Sequence, residues 1–373
     1  MVEYLCVFLH VFLWFSQRVR KIRQVLSKAT LKAIKVRMRN RPRSKRNVLL
    51  SFFLTAVGFV VIIAAIWLIG EALEKREYRE ERAQMSENFG QLPTKTVDGK
   101  VYIRRPEVET MLIIGVDKRP DDPRTGYRDG GQADFLMVLA IDHAKRQIHQ
   151  LQIDRDTMTD ITMVGVLGNV TGTRVLQICL SHGFGATPEQ SCNFAVTAVE
   201  HFLQDEPMEL YMTLQLDAIS VLNDLVGGVT VTIPEDYTSV DPTMVKGATM
   251  TLTDEQVELL VRSRMSVGDG TNSARSQRQR VFLKAAAEQL KARLNANLDF
   301  ANSLIDAIDR ISSWTNIQHG RLINEVNRAY NYDILPAESI AGEYTLGSDG
   351  FVEFHADPDA VTTWLLKTLY EPK

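Results

Sequence analysis

Asp134–Asp142 is apolar at both alternating sets of positions: Phe135, Met137, Leu139 and Ile141 on one, Leu136, Val138 and Ala140 on the other. A strand without polar alternation must be covered on both faces, so the fold is built around a central strand between two layers. Thr110–Gly115 precedes it and Gln147–Ile153 follows it. The polar link Asp142–Gln147 suits a hairpin between the second and third strands. If the three run up, down, up, the end of the first, the start of the second and the end of the third share one edge. Those points carry Asp117, Asp134 and the pair Arg155–Asp156. Two carboxylates and an arginine would converge there, with Asp156 either an orienter or base or simply the ion-pair partner of Arg155.

The second constraint lies upstream. Val48–Gly70 is a run of 23 residues with no charge, long enough as a helix to cross a hydrocarbon core of about 30 Å. Residues 1–47 hold 13 Lys/Arg and one acid, a net of +12, and the remaining 30 basic and 45 acidic residues give −15. A basic block flanking one end of an apolar span holds that end in the cytoplasm. This argues against nucleic-acid binding and for a single-pass cell-membrane protein with its bulk extracytoplasmic. No small-residue cleavage site follows, so the span reads as an uncleaved anchor. Residues 4–15 are apolar but too short to cross.

These features divide the chain into a basic cytoplasmic arm (1–47), a transmembrane helix (48–70), a charged stalk and linker (71–106) and an extracytoplasmic domain (107–373). Within the domain, residues from Thr157 to Gly172 read as irregular and Val175–Leu180 as helical. Helices are expected at Cys192–Leu203, Ala218–Leu225, Thr253–Arg264 with Thr253 as N-cap, and from Asn272 or Ser273 onward, with breaks, to Trp314. Asn316–Tyr330 and Asp357–Tyr370 also read as helices. Leu210–Leu216 and Val229–Ile233 read as strands, and Tyr344–Phe354 as a hairpin. Cys179 and Cys192 bracket a Gly/Pro-containing loop on the oxidising side. A disulfide there would stabilise by about 3 kcal/mol; two separate buried thiols are the alternative. No Cys/His set has the spacing of a zinc site.

A dense arginine group follows the Thr253 helix: Arg262, Arg264, Arg275, Arg278 and Arg280, with Gln279 among them. Arg275 shares a helical face with Arg278 and Gln279. Guanidinium forks suit bidentate capture of phosphate oxygens, and several together match a diphosphate. Carboxylates beside such a ligand need a divalent cation between them, and Mg²⁺ (or Mn²⁺) is commonly held by one or two carboxylates plus phosphate oxygens. Asp117 and Asp134 are the candidate metal ligands. The set is coherent for phosphoryl transfer.

GVDKR at 115–119, the Ala-Asp of GGQAD, IDRDT at 153–157, LVGGVTVTIPEDY at 225–237, LTDEQVELLVRSR at 252–264 and ARSQRQ at 274–279, in this order, resemble the LytR-CpsA-Psr proteins of bacterial cell envelopes. HADPDAVTTWLLKTLY near the end is similar to that family's closing helix. The resemblance implies an α/β fold, a three-layer α/β/α domain with a central mixed sheet, whose apolar pocket holds a polyprenyl chain with the diphosphate at its mouth. It implies that Asp117 and Asp134 hold Mg²⁺, that Arg155, Arg262, Arg264, Arg275 and Gln279 grip the diphosphate, and that Arg174 takes the place of a usual lysine. Two positions depart from the family pattern: Gln132 where an arginine is common, and Asp154 where proline is favoured.

The function implied is a phosphotransferase that moves a glycan phosphate from a polyprenyl-diphosphate-linked donor to a peptidoglycan hydroxyl, as in teichoic acid or capsule attachment. A polyprenyl-pyrophosphate hydrolase, with water as acceptor, and a non-catalytic lipid-binding envelope regulator are the alternatives. Gln132 is the feature favouring the last.

Overall fold

The computed structural model describes residues 92–118, 131–165, 168–263, 267–297, 299–329 and 332–373. The basic arm, the span 48–70, the charged segment up to residue 91 and Arg264 lie outside the described residues. Among the described residues no helix is long and apolar enough to cross a membrane.

The chain enters by a hairpin, β1 (Thr94–Val97) and β2 (Lys100–Arg104), turning at Asp98-Gly99, both with positive φ. β3 (Val108–Val116), β4 (Ala133–Asp142) and β5 (Gln147–Ile153) follow. Each is antiparallel to the next, so the strands do run up, down, up. A second hairpin, β6 (Met158–Val164) and β7 (Val170–Gln177), leads through two short 3-10 turns to α1 (Pro188–Phe202) and β8 (Leu210–Leu214). α2 (Ala218–Leu225), the short strands β9 (Thr230–Thr232) and β10 (Thr249–Thr251), α3 (Asp254–Arg262) and α4 (Asn272–Ala296) come next. α5 (Phe300–Ile311), β11 (Ser312–Thr315), α6 (His319–Ala329) and β12 (Asp333–Ile334) lead to a third hairpin, β13 (Gly342–Leu346) and β14 (Val352–Ala356). α7 (Pro358–Leu369) and β15 (Tyr370–Pro372) close the chain.

The result is a mixed α/β domain around a six-stranded sheet, ordered β11-β8-β3-β4-β5-β12. β8 is parallel to β3, and β12 to β5, while the other pairs are antiparallel. The two apolar faces of β4 each find a cover. Leu136, Val138 and Ala140 join Leu112 and Ile114 of β3 in a core with Ala195, Ala198 and Val199 of α1 and Trp364 and Leu365 of α7. Large side chains buried in this way contribute ~1.5–3 kcal/mol each. Phe135 faces the other way, toward α2, α3 and α4. Those helices share a second core with β9 and β10, around Val231, Ile233, Tyr237, Leu260 and Phe282.

Several elements differ from the sequence expectation. The segment read as linker up to 106 is partly folded: β2 pairs with β15, and Arg104 and Arg105 are buried, bonded to Glu206 at 2.5 Å and Asp142 at 2.6 Å. The region 157–177 is a β-hairpin rather than irregular chain followed by helix. Its second strand is exposed for most of its length, so no burial pattern in the sequence marks it. Ser312–Thr315 is an edge strand on β8 rather than the end of a helix. Thr253 caps α3 as expected, with Gln256 completing a reciprocal capping box.

Candidate active site

β3 and β4 pair residue for residue from Val108–Asp142 to Gly115–Phe135, after which Val116 pairs with Ala133. Asp134 is thus the extra residue of a β-bulge. The Gln132 carbonyl accepts both the Asp117 amide, at 3.1 Å, and the Asp134 amide, at 3.0 Å. In a regular strand Asp134 and Phe135 would point to opposite faces. The bulge re-aims the backbone, and both side chains line one cavity. Gly115 makes room opposite, because a Cβ there would lie 2.9 Å from that of Phe135.

This cavity, about 240 Å³, lies between the sheet and α2–α4. Along α4, Arg275 and Gln279 line it first, then Phe282 and Leu283, a spacing that keeps one helical stripe on one wall. Its polar end therefore holds Asp117, Asp134, Arg262, Arg275 and Gln279, while Phe135, Leu214, Ile219 and Leu222 extend the apolar lining.

Arg155, just past β5, organises the charges. Nη1 is ion-paired with Asp134 Oδ1. Nη2 donates to Gln132 Oε1 at 2.7 Å and lies 3.4 Å from Cys179 Sγ, and Nε lies 3.4 Å from Asp156 Oδ1. Arg275 Nη1 reaches Asp134 Oδ2 at 3.4 Å, and its Nη2 donates to Asn272 Oδ1 at 2.6 Å. Burial works to lower the Arg155 pKa, but Cys179, Asp134 and Asp156 outweigh it and the net direction is upward, so the guanidinium stays charged. Burial pushes the Cys179 thiol up to about 12 despite Arg155.

The model of the LytR_cpsA_psr family matches residues 71–345, most of the chain. The chain belongs to the LytR-CpsA-Psr family. It is 27% identical over 197 residues, 52% of its length, to the polyisoprenyl-teichoic acid–peptidoglycan teichoic acid transferase TagU of Bacillus subtilis, of which the match covers 55%. TagV of the same organism, described by the same activity, is 25% identical over 271 residues, 70% of this chain and 64% of TagV. The match thus spans little more than half the length of the B. subtilis TagU. Among solved structures, B. subtilis TagV superposes with a TM-score of 0.53 at 20% identity, over 70% of this chain and 97% of that one. The Streptococcus agalactiae protein gbs0355 superposes with a TM-score of 0.56 at 18% identity, over 70% and 86%. These likenesses agree with the mixed α/β fold.

Of the residues that the family pattern implies, Asp117, Asp134, Arg262, Arg275 and Gln279 line the cavity, and Arg155 joins them through Asp134. Asp117 Oδ1 accepts the Gln132 amide at 2.8 Å. Arg262 is half-exposed and paired with Glu258. Asp156 is buried, with Oδ1 3.4 Å from Arg155 Nε. Arg278 and Arg174 are not brought to the cavity. Arg278, 1% exposed, is bonded to Glu235 Oε2 at 2.6 Å and to the Ser263 carbonyl at the end of α3. Arg174 lies on the exposed strand β7, opposite Ile161. Arg264 lies outside the described residues.

The expected disulfide is corrected: Cys179 and Cys192 are both free and buried. Each sulfur has its own neighbour, Cys179 the Arg155 guanidinium and Cys192 the Thr213 hydroxyl of β8 at 3.1 Å. Two residues gain site roles that sequence reasoning did not assign. Gln132 joins Asp117 to Arg155, and Cys179 packs on Arg155. The first is signalled only by its departure from the family pattern, the second by nothing local. Asp154, the other departure, is a structural tie: Oδ1 accepts from Asn272 at 2.7 Å and Oδ2 from Tyr344 at 2.6 Å.

The donor chemistry fits a hard divalent cation, since Asp117 and Asp134 offer carboxylate oxygens of the kind Mg²⁺ or Mn²⁺ takes beside phosphate. A set with ligand-like spacing, Glu109, His143 and Glu325, lies toward the opposite end of β3, roughly 26 Å along the strand from Asp117. Arg321 is paired with Glu109 there.

Proposed function

We propose that this domain transfers a glycan phosphate from a polyprenyl-diphosphate-linked donor to a hydroxyl of peptidoglycan, in the manner of cell-wall teichoic acid or capsule attachment. One observation carries the reading: a single cavity is apolar along α2 and the middle of α4, and lined with two aspartates and two arginines at its other end. A prenyl chain matches the first part and a diphosphate the second. The names of the B. subtilis relatives, which join a polyisoprenyl donor to a peptidoglycan acceptor, support the same assignment.

In this reading Arg155 and Arg275 swing part of their charge from Asp134 to the diphosphate oxygens, with Arg262, Arg264 and Gln279 completing the grip. Asp156 fixes the Arg155 fork. Asp117 and Asp134 would hold Mg²⁺ or Mn²⁺, which supplies positive charge against the diphosphate. The acceptor hydroxyl oxygen forms a bond to the glycan-linked phosphorus as the bond from that phosphorus to the bridging oxygen breaks; the hydroxyl proton passes to the departing phosphate, and polyprenyl phosphate leaves. The guanidinium groups stabilise charge building on the equatorial and leaving oxygens. Residues 48–70 would anchor the chain, with the basic arm in the cytoplasm and the domain outside.

A labelled lipid-linked glycan incubated with peptidoglycan, the full chain and Mg²⁺ tests the proposal. Label should pass to peptidoglycan with the wild type and not with Asp117→Ala or Asp134→Ala. Label released to water would make the protein a hydrolase. Donor binding with neither transfer nor hydrolysis, under any divalent metal, would leave a lipid-binding regulator.

A further inference from the structure

α4 lines more than one cavity. Arg275, Gln279 and Phe282 line the apolar one, while Ser273, Ser276 and Arg280, roughly a third of a turn round the helix, line a second cavity of about 220 Å³ against the β5 edge. Gln152, 3% exposed, forms the partition. Its Nε2 donates to Gln279 Oε1 at 2.9 Å on the lipid side, and its Oε1 accepts from Arg280 Nη1 at 2.8 Å on the other.

The second cavity has a distinctive chemistry. Its acid, Asp154, is held by Asn272 and Tyr344, and its Arg280 is held by Gln152, so both charges are already engaged. Hydroxyls and amides remain, with the packed rings of Tyr344 and Phe354, centroids 4.8 Å apart, on the same lining. Thr157, fully buried, also lines it, and its Oγ1 has no hydrogen-bond partner among the described residues. A diphosphate would prefer the arginine-lined cavity next door, and a divalent cation would prefer more than the single acid of this lining. Hydroxyls, amides and aromatic rings around two hydrogen-bonded charges suit an uncharged sugar ring, whose hydroxyls hydrogen-bond and whose C–H face packs on rings.

We propose that this cavity is the acceptor subsite, binding a pyranose residue of the glycan strand one residue along the chain from the phosphate-gripping Arg155. The proposal rests on the transferase reading, but sugar binding is measurable without turnover. Saturation-transfer NMR of the full chain in detergent, with N,N′-diacetylchitobiose as probe, should give transfer to the ring protons. Ser276→Phe and Ser339→Phe fill the cavity from two walls, the second from an exposed position. Each should reduce the signal at least fivefold, retain binding of a fluorescent polyprenyl diphosphate, and reduce glycan transfer in parallel. No saturation of the sugar in the wild type, or undiminished saturation in both variants, overturns the subsite. Transfer unaffected in both variants overturns its acceptor role and leaves the transferase reading intact. Sugar binding without any transfer by the wild type keeps the sugar site and removes the transferase reading instead.

Discussion

Arg155 and Arg278 are both arginines that sequence alone assigns to the diphosphate, and the structure gives them different work. Arg155 is held between Asp134, Asp156, Gln132 and Cys179 at the cavity. Arg155→Ala should weaken polyprenyl-diphosphate binding by roughly 1.5–3 kcal/mol, or about 10- to 150-fold, measured by fluorescence titration. Arg278→Ala should instead cost stability, on the order of 2–3 kcal/mol in urea unfolding. That is below the value for a fully buried pair because Glu235 is a quarter exposed. Equal binding losses in the two variants would contradict this division. The thiols make a pH prediction. Cys179 is raised to about 12 by burial, so above pH 9 the unfolded chain releases a proton that the folded one keeps. Stability then falls as pH rises between 9 and 12, by at most about 1.4 kcal/mol per pH unit for this group. Buried Tyr237 and Tyr370 add the same sign at the upper end. Cys179→Ala should flatten the wild-type slope of Tm against pH, and both thiols should resist alkylation until the protein unfolds.

At the scale of elements, the site depends on an irregularity and a helix. The bulge at Asp134 places a carboxylate and Phe135 on one cavity, and Gly115 leaves space for the ring. Gly115→Ala would set a Cβ 2.9 Å from the Phe135 Cβ, two backbone-fixed atoms that cannot yield easily. A loss of about 1–3 kcal/mol in stability is expected, with Phe135 displaced into the cavity. Affinity should then drop more for an undecaprenyl diphosphate than for a short-chain analogue, by competition titration. A uniform drop for both lipids would detach Phe135 from chain binding. α4 shows why helix content alone misleads here: different stripes of it line different cavities, so no single apolar face marks its role in the sequence.

For the whole molecule, charge and hydropathy predict an orientation. The arm to residue 47 carries +12, the remainder −15, and the uncharged run between them is membrane-length. Protease added to intact, wall-stripped cells should digest the domain and spare an epitope placed before Arg41. Protection of the domain would remove the envelope reading altogether. The first and last strands of the described residues share one sheet, since β2 pairs with both β1 and β15, and the pairs Arg104–Glu206 and Arg105–Asp142 fasten β2 and the turn after it to the main body.

What the sequence alone determined was whatever rests on local pattern. The double-faced β4, the antiparallel run of β3, β4 and β5, and the cap of α3 follow from residue spacing over a few turns or strand residues. From these, the shared edge of Asp117, Asp134 and Arg155 could be deduced before any coordinates. Tertiary structure decided what depends on partners far along the chain. An exposed hairpin such as β6–β7 lacks a burial pattern to betray it. Cys179 and Cys192 look paired by proximity in sequence, yet each sulfur meets a different neighbour. Arg278 and Arg275 lie three residues apart on one helix, but only packing against Glu235 and α3 turns the first away from the cavity. The bulge at Asp134 is likewise invisible to a period-two reading, because it arises from pairing with β3. Side-chain direction at the site is set by these long-range contacts, and spacing along the chain does not contain them.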